Sequence, residues 1–125
     1  MNMTMTTKEL LDAYYQGLMK KSGWEPLIAD DFIYQGGRNM TEPPLMGKAA
    51  YLQLMNKTYA LFTAMRVKDQ IVDGDRAYVL TNYDFSFPNG KKATSDAVEV
   101  WNVRNGKLAS RTVFNDTYSV AQLMQ

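Results

Sequence analysis

Residues 92–115 read KATSDAVEVWNVRNGKLASRTVFN, and no other stretch restricts the possible folds as strongly. Arg104-Asn105-Gly106-Lys107 contains the Asn-Gly pair that tolerates the positive φ of a tight hairpin turn. β-favouring runs flank it, first Val98, Val100, Trp101 and Val103, then Leu108, Thr112, Val113 and Phe114. The spacing therefore predicts two long strands joined by a turn. Strand residues alternate between faces, so Ser95, Ala97, Glu99, Trp101 and Val103 share one face, continued across the turn by Ala109, Arg111, Val113 and Asn115. An acid and a base are embedded in an otherwise apolar surface. A three-residue turn ending in a glycine bulge puts Glu99 directly opposite Arg111, whereas a two-residue turn makes them diagonal neighbours.

Elements that could pack on this hairpin precede it. Thr6 and Glu9 form a capping box for a helix over residues 7–21, whose inward stripe is Leu11, Tyr14, Tyr15 and Leu18. Residues 24–29 read as a short second helix, and 31–35 as a strand broken by Gly36-Gly37. Residues 36–46, with Pro43-Pro44, read as a loop at a cavity mouth, with a brief strand near 39–41. Residues 47–62 carry Tyr51, Met55, Thr58 and Phe62 on one stripe, as in a mostly buried helix. From Thr63 the hydrophobic period changes from 3.6 to 2. Strands over 63–73 and 76–87 then lead into the hairpin, with Ala77, Val79, Thr81, Tyr83, Phe85 and Phe87 on one face, and a turn of helix follows Asn115. Helices before a meander predict an α+β fold in which a curved antiparallel sheet wraps around N-terminal helices, leaving a cavity. Tyr78, Leu80, Val98, Val100, Leu108 and Phe114 face away from the helices, an apolar breadth that predicts a homodimer.

Composition removes whole classes of mechanism. At 125 residues the chain, 1–125, is one domain. With 14 basic and 13 acidic residues, it carries no electrostatic footprint for nucleic acid or an anionic membrane. It has neither cysteine nor histidine, so a thiol nucleophile, a disulfide framework and the commonest general base and metal ligand are all missing. No metal or other cofactor is expected. The N-terminus lacks the basic and apolar regions of a signal peptide, and no run is long enough to span a membrane, so a soluble cytoplasmic protein is expected.

LIADDFIY, MGKAAYLQLM, IVDGDRAYV, VEVWNVRNGKL and FNDTYSVAQLM resemble, in that order, the signature pieces of the nuclear transport factor 2-like superfamily. The likeness is greatest to its SnoaL-like branch and covers nearly the whole chain. It implies a cone-shaped α+β domain with a ligand pocket. The superfamily includes ketosteroid isomerase, limonene-epoxide hydrolase, scytalone dehydratase, polyketide cyclases and noncatalytic modules, so fold alone does not fix function. Aligned on the Asn-Gly-Lys turn, Glu99 falls where the isomerase has a protonated aspartic acid in its oxyanion hole, and Tyr14 or Tyr15 falls near its hydrogen-bonding tyrosine. Gly36 stands about where its general base belongs. Val113 replaces an aspartate of the epoxide hydrolase, Tyr83 and Phe85 lie near that enzyme's arginine and other aspartate, and the histidine of cyclases and the dehydratase has no counterpart.

The resemblance implies a binder of a small apolar or partly polar organic molecule. As an isomerase, cyclase or hydrolase it would use Glu99 as acid or base, Arg111 as charge partner or anion binder, and Tyr14 as donor. Tyr15, Leu18, Tyr34, Tyr83, Phe85, Trp101, Val113 and Asn115 would contact the ligand. The alternative is a noncatalytic binding or assembly module acting as a dimer through its sheet face. On that alternative Glu99 and Arg111 brace the pocket wall and Tyr14 and Tyr15 are core aromatics. Desolvation raises the pKa of Glu99 and a nearby Arg111 lowers it, and the paired, ionised state is the expected one.

Overall fold

The computed structural model describes residues 5–36 and 43–116. Helix α1, Thr7–Lys20, begins where the capping box places it. The Thr6 hydroxyl accepts from the Glu9 backbone N–H, and the Glu9 carboxylate accepts from the Thr6 N–H. Lys21 ends it at φ 60°, its N–H bonding back to the carbonyls of Gly17 and Leu18. Leu10, Leu11, Tyr14, Tyr15 and Leu18 are buried on its inward face.

Residues 24–29 do not form the second helix that the sequence suggests. They make a single 3-10 turn, Glu25–Leu27, and β1, Ile28–Gly36, takes up the chain at once because Ile28 pairs with Leu108. After β2, Leu45–Met46, comes α2, Lys48–Thr58. Helix α2 stops short of the expected residue 62, since tight turns through Ala60 and Leu61 deliver Phe62 into the sheet opposite Phe85. Within it only Tyr51 and Met55 are buried, so the expectation of a mostly buried helix fails. Part of its inward face borders open cavity instead of packed atoms. Then follow β3, Phe62–Asp73, β4, Arg76–Ser86, β5, Lys92–Arg104, and β6, Lys107–Asn115.

The six strands form one open sheet in the order β2-β1-β6-β5-β4-β3. Every ladder is antiparallel except that between β1 and β6. Two register shifts in β3, between Phe62 and Ala64 and between Val67 and Asp69, add local bend and twist to that edge. The expected α+β architecture, a curved sheet around the helices, is what the chain adopts. The brief strand expected near 39–41, the middle of the loop containing it and the turn of helix after Asn115 lie outside the described residues.

The hairpin turn decides which side chains meet. Asn105 at φ 53° and Gly106 at φ 73° form a two-residue turn, with Arg104 paired to Lys107. One extra residue, Ala109, then shifts the register, so that Val103 faces Leu108 but Asn102 faces Ser110. This bulge brings Leu108 and Ala109 both inside, and Leu108 is 0 % exposed. Leu108 therefore belongs to the core and not to the outward apolar surface expected of it. The rest of that surface is as expected: Tyr78, Val98 and Phe114 are exposed, Leu80 and Val100 half-buried, and Ile71 joins them opposite Tyr78. Among the described residues no helix is long and apolar enough to cross a membrane.

Candidate functional site

Between α2 and the inner face of the sheet lies a cavity of about 540 Å³, within the size range of small-molecule sites. Leu54, Met55 and Leu61 form one wall and Phe62, Tyr83, Phe85 and Phe87 the other. Tyr83, Phe85 and Phe87 follow one another along the same strand face as a stack, their ring centroids 5.7 and 6.0 Å apart and their planes inclined by 20° and 18°, so this wall is continuously aromatic. Gly36, Pro43 and Leu45, described residues of the segment 36–46 expected at the mouth, also line the cavity.

Arg111 and Glu99 stand at its polar end. In the ladder Arg111 faces Trp101 and Glu99 faces Val113, so the two are diagonal neighbours. Arginine's reach closes that offset into a two-pronged contact, with Nε 3.2 Å from Oε1 and Nη2 2.9 Å from Oε2. Glu99 also accepts from the Tyr15 hydroxyl at 2.6 Å on Oε1, and from Thr81 at 3.0 Å and Tyr83 on Oε2. Behind them, Trp101 Nε1 donates to the Tyr15 hydroxyl at 2.9 Å. On the other side Arg111 Nη1 donates to Tyr51, whose hydroxyl lies 2.6 Å from that of Tyr14. The ring of Tyr34, the neighbour of Arg111 in β1, lies 5.6 Å from the guanidinium.

Burial on its own would push the Glu99 carboxyl up. Arg111 and the hydrogen bonds from Tyr15 and Tyr83 outweigh it, and the group lies below its usual range, ionised at neutral pH. Burial likewise works against the charge on Arg111, but Glu99 beside it holds the guanidinium charged. Burial pushes Tyr14, Tyr15, Tyr34 and Tyr83 upward and Tyr51 to about 12, so these phenols stay protonated and can donate.

The carboxylate is saturated and sealed. Its four lone-pair positions are met by protein donors and Glu99 is 0 % exposed, whereas Arg111 retains 6 %. A molecule in the cavity meets Arg111 first. Of the residues named as ligand contacts from sequence, Leu18, Tyr34, Tyr83, Phe85, Val113 and Asn115 line the cavity. Tyr14, Tyr15 and Trp101 do not: they are buried behind the ion pair, where Tyr14 serves Tyr51 and Tyr15 serves Glu99. Two members of the network, Tyr51 and Thr81, were not singled out from sequence. The available signal was a hydroxyl on an otherwise apolar inward face, at Thr81 of β4 and at Tyr51 of α2.

Gly36, which the resemblance puts about where the isomerase has its base, has φ +116°, and a Cβ there would lie 2.1 Å from the Val113 carbonyl oxygen. No side chain fits, so no carboxylate can stand at that point. Among the described residues no group of acidic side chains has the makings of a metal site. The site thus offers an apolar slot, one aromatic wall and a polar end where the charges of Glu99 and Arg111 cancel.

Comparison with solved structures returns the same architecture. TerC, co-crystallised with polyporic acid, superposes with a TM-score of 0.80 at 22 % identity, over 94 % of this chain and 97 % of its own. An NTF2-like protein from Burkholderia thailandensis E264 gives 0.85 at 17 % identity, over 97 % and 98 %. A second, of unknown function, from Burkholderia pseudomallei K96243 gives 0.81 at 19 %, over 95 % and 97 %. At such identities the likeness is one of fold. Comparison with curated proteins gives no match. The SnoaL-like domain family matches residues 8–111, and with the NTF2-like architecture shared along nearly the whole chain, the chain belongs to that family.

Proposed function

We propose that the chain binds a small, largely apolar organic molecule in the cavity between α2 and the sheet, with the molecule's polar end against Arg111. The observation that carries this reading is an open cavity of about 540 Å³ ending on a guanidinium that is buried yet still reachable. A chain needing only a stable core would fill such a space, since unfilled volume is costly. The co-crystallisation of TerC with polyporic acid supports the idea that this architecture holds molecules of that size. Glu99 acts here as the counter-charge that orients Arg111. Its saturated, sealed carboxylate favours binding over acid–base chemistry by Glu99 itself. Native mass spectrometry of the purified protein, followed by fluorescence titration with a naphthalene probe, tests the reading. A Leu54→Trp variant that fills the slot should lose the probe, and equal binding by that variant would place the probe elsewhere.

The outward face supports a further part of the reading, a two-fold dimer. Ile71, Tyr78, Val98 and Phe114 expose an apolar band, bordered by charges of both signs in Arg66, Asp84, Lys68 and Asp96. A second copy related by a two-fold axis matches apolar to apolar and can set opposite charges together. Light scattering at micromolar concentration should give twice the chain mass, and a monomer there would remove this part.

A further inference from the structure

We infer that Glu99, without touching the ligand, sets its charge: the cavity selects a neutral aromatic molecule presenting a carbonyl-type acceptor oxygen to Arg111 and Tyr34, and discriminates against carboxylates. This rests on the ligand-binding reading above. A buried arginine facing a cavity is ordinarily read as an anion site, but here its charge is already matched. Nε and Nη2 face the two oxygens of Glu99 and Nη1 donates to Tyr51. A ligand carboxylate reaching Arg111 would give up its water and come to rest beside a second carboxylate, that of Glu99, already paired with the same guanidinium and ionised at neutral pH. Of the other charged residues at the cavity, Asp96 turns its carboxylate to the outward sheet face, where Asn82 and Lys68 hold it, and Lys57 is exposed on α2, where water screens its charge.

A neutral acceptor meets none of these costs. The hydroxyls of Tyr15 and Tyr83 already donate to Glu99, and Thr81 shares its proton between Glu99 and the Ala97 carbonyl. The wall beside Arg111 adds Tyr34, whose phenol burial keeps protonated. Among the described residues, the donors left over at this end are the Tyr34 hydroxyl and the second N–H of Arg111 Nη1, which a carbonyl oxygen can accept from without bringing charge. The row of stacked rings of Tyr83, Phe85 and Phe87 gives an aromatic ligand a continuous aromatic surface to pack against.

The test uses two probes of one shape, 2-acetylnaphthalene and 2-naphthoate, titrated at neutral pH into the wild-type chain, Glu99→Gln and Tyr34→Phe. The wild type should hold the ketone about tenfold more tightly than the carboxylate. In Glu99→Gln the order should reverse, because Arg111 then carries an unopposed charge, an outcome that loss of stability alone does not produce. Tyr34→Phe should weaken the ketone several-fold, and unchanged ketone affinity there would remove Tyr34 from the site. If Glu99→Gln does not fold, the wild-type ratio and Tyr34→Phe decide. Equal or tighter binding of naphthoate by the wild type, or an unchanged ratio in Glu99→Gln, overturns the inference and leaves ligand binding standing. Failure of both probes to bind overturns the ligand-binding reading itself.

Discussion

Arg111 and Glu99 meet across a diagonal of the β5–β6 ladder, with Nε 3.2 Å from Oε1 and Nη2 2.9 Å from Oε2, although neither faces the other in register. Direct opposition is not needed, because the long arginine stem spans the offset. The diagonal leaves Val113 opposite Glu99 and Trp101 opposite Arg111, so apolar groups enclose the pair on both strands.

Removing one member exposes the cost of burying the other. Arg111→Met should destabilise the fold by about 3–5 kcal/mol at neutral pH, because it strands a carboxylate in the core. The pH dependence should also change sign. In the wild type Glu99 lies below its usual 4.5, so its contribution is present above that value and is lost as pH falls through the folded-state pKa. In Arg111→Met burial, the largest single influence, is opposed only by neutral donors and raises the carboxyl above its usual value. The contribution is then present at low pH and lost as pH rises. Urea unfolding in mildly acidic and mildly alkaline buffer should show the variant more stable in acid.

Glu99→Gln should cost about 3 kcal/mol, since it leaves Arg111 without its counter-charge while Tyr15 and Tyr83 confront an amide. The double variant Glu99→Gln/Arg111→Met should lose less than the sum of the two single losses. Additive losses measured by denaturant unfolding would mean that the pair is not coupled.

Tyr14→Phe separates the tyrosines by role. Its hydroxyl meets only Tyr51 among the described contacts and does not line the cavity. The substitution should cost about 1 kcal/mol in stability and leave probe affinity unchanged. A many-fold loss of affinity with normal stability would restore Tyr14 as a ligand-contacting donor.

Much of this was legible in the sequence, for reasons tied to particular residues. Alternation along β5 and β6 put Glu99 and Arg111 on one apolar face, and Asn105-Gly106 announced the turn between them. What alternation cannot see is a bulge. Ala109 shifts the register by one residue and carries Leu108 inside, a change that depends on long-range packing under the Trp101 face. The depth of each residue was hidden too. Tyr14, Tyr15 and Trp101 share the inward direction with Tyr34 and Tyr83, and only the three-dimensional arrangement shows that the first three are covered by Arg111 and Glu99. Thr81 and Tyr51 carry little signal in the sequence, because a lone hydroxyl on an apolar face does not reveal its partner.

Gly36→Ala should destabilise the chain by about 2 kcal/mol or more, because positive φ and the Val113 carbonyl both oppose a Cβ. Gly90→Ala, also at positive φ but with open space around it, should cost less. Thermal unfolding of the two variants side by side checks the order.

The most direct test of ligand binding between α2 and the sheet is nuclear magnetic resonance of methyl-labelled protein, with the Arg111 Nε–H resolved, during titration with 2-acetylnaphthalene. The methyls of Leu18, Leu54, Met55 and Val113 and the Arg111 Nε–H should shift together, while those of Ile71 and Val98 on the outward face stay in place. Shifts confined to Ile71 and Val98, or no shifts at saturating probe, would contradict it.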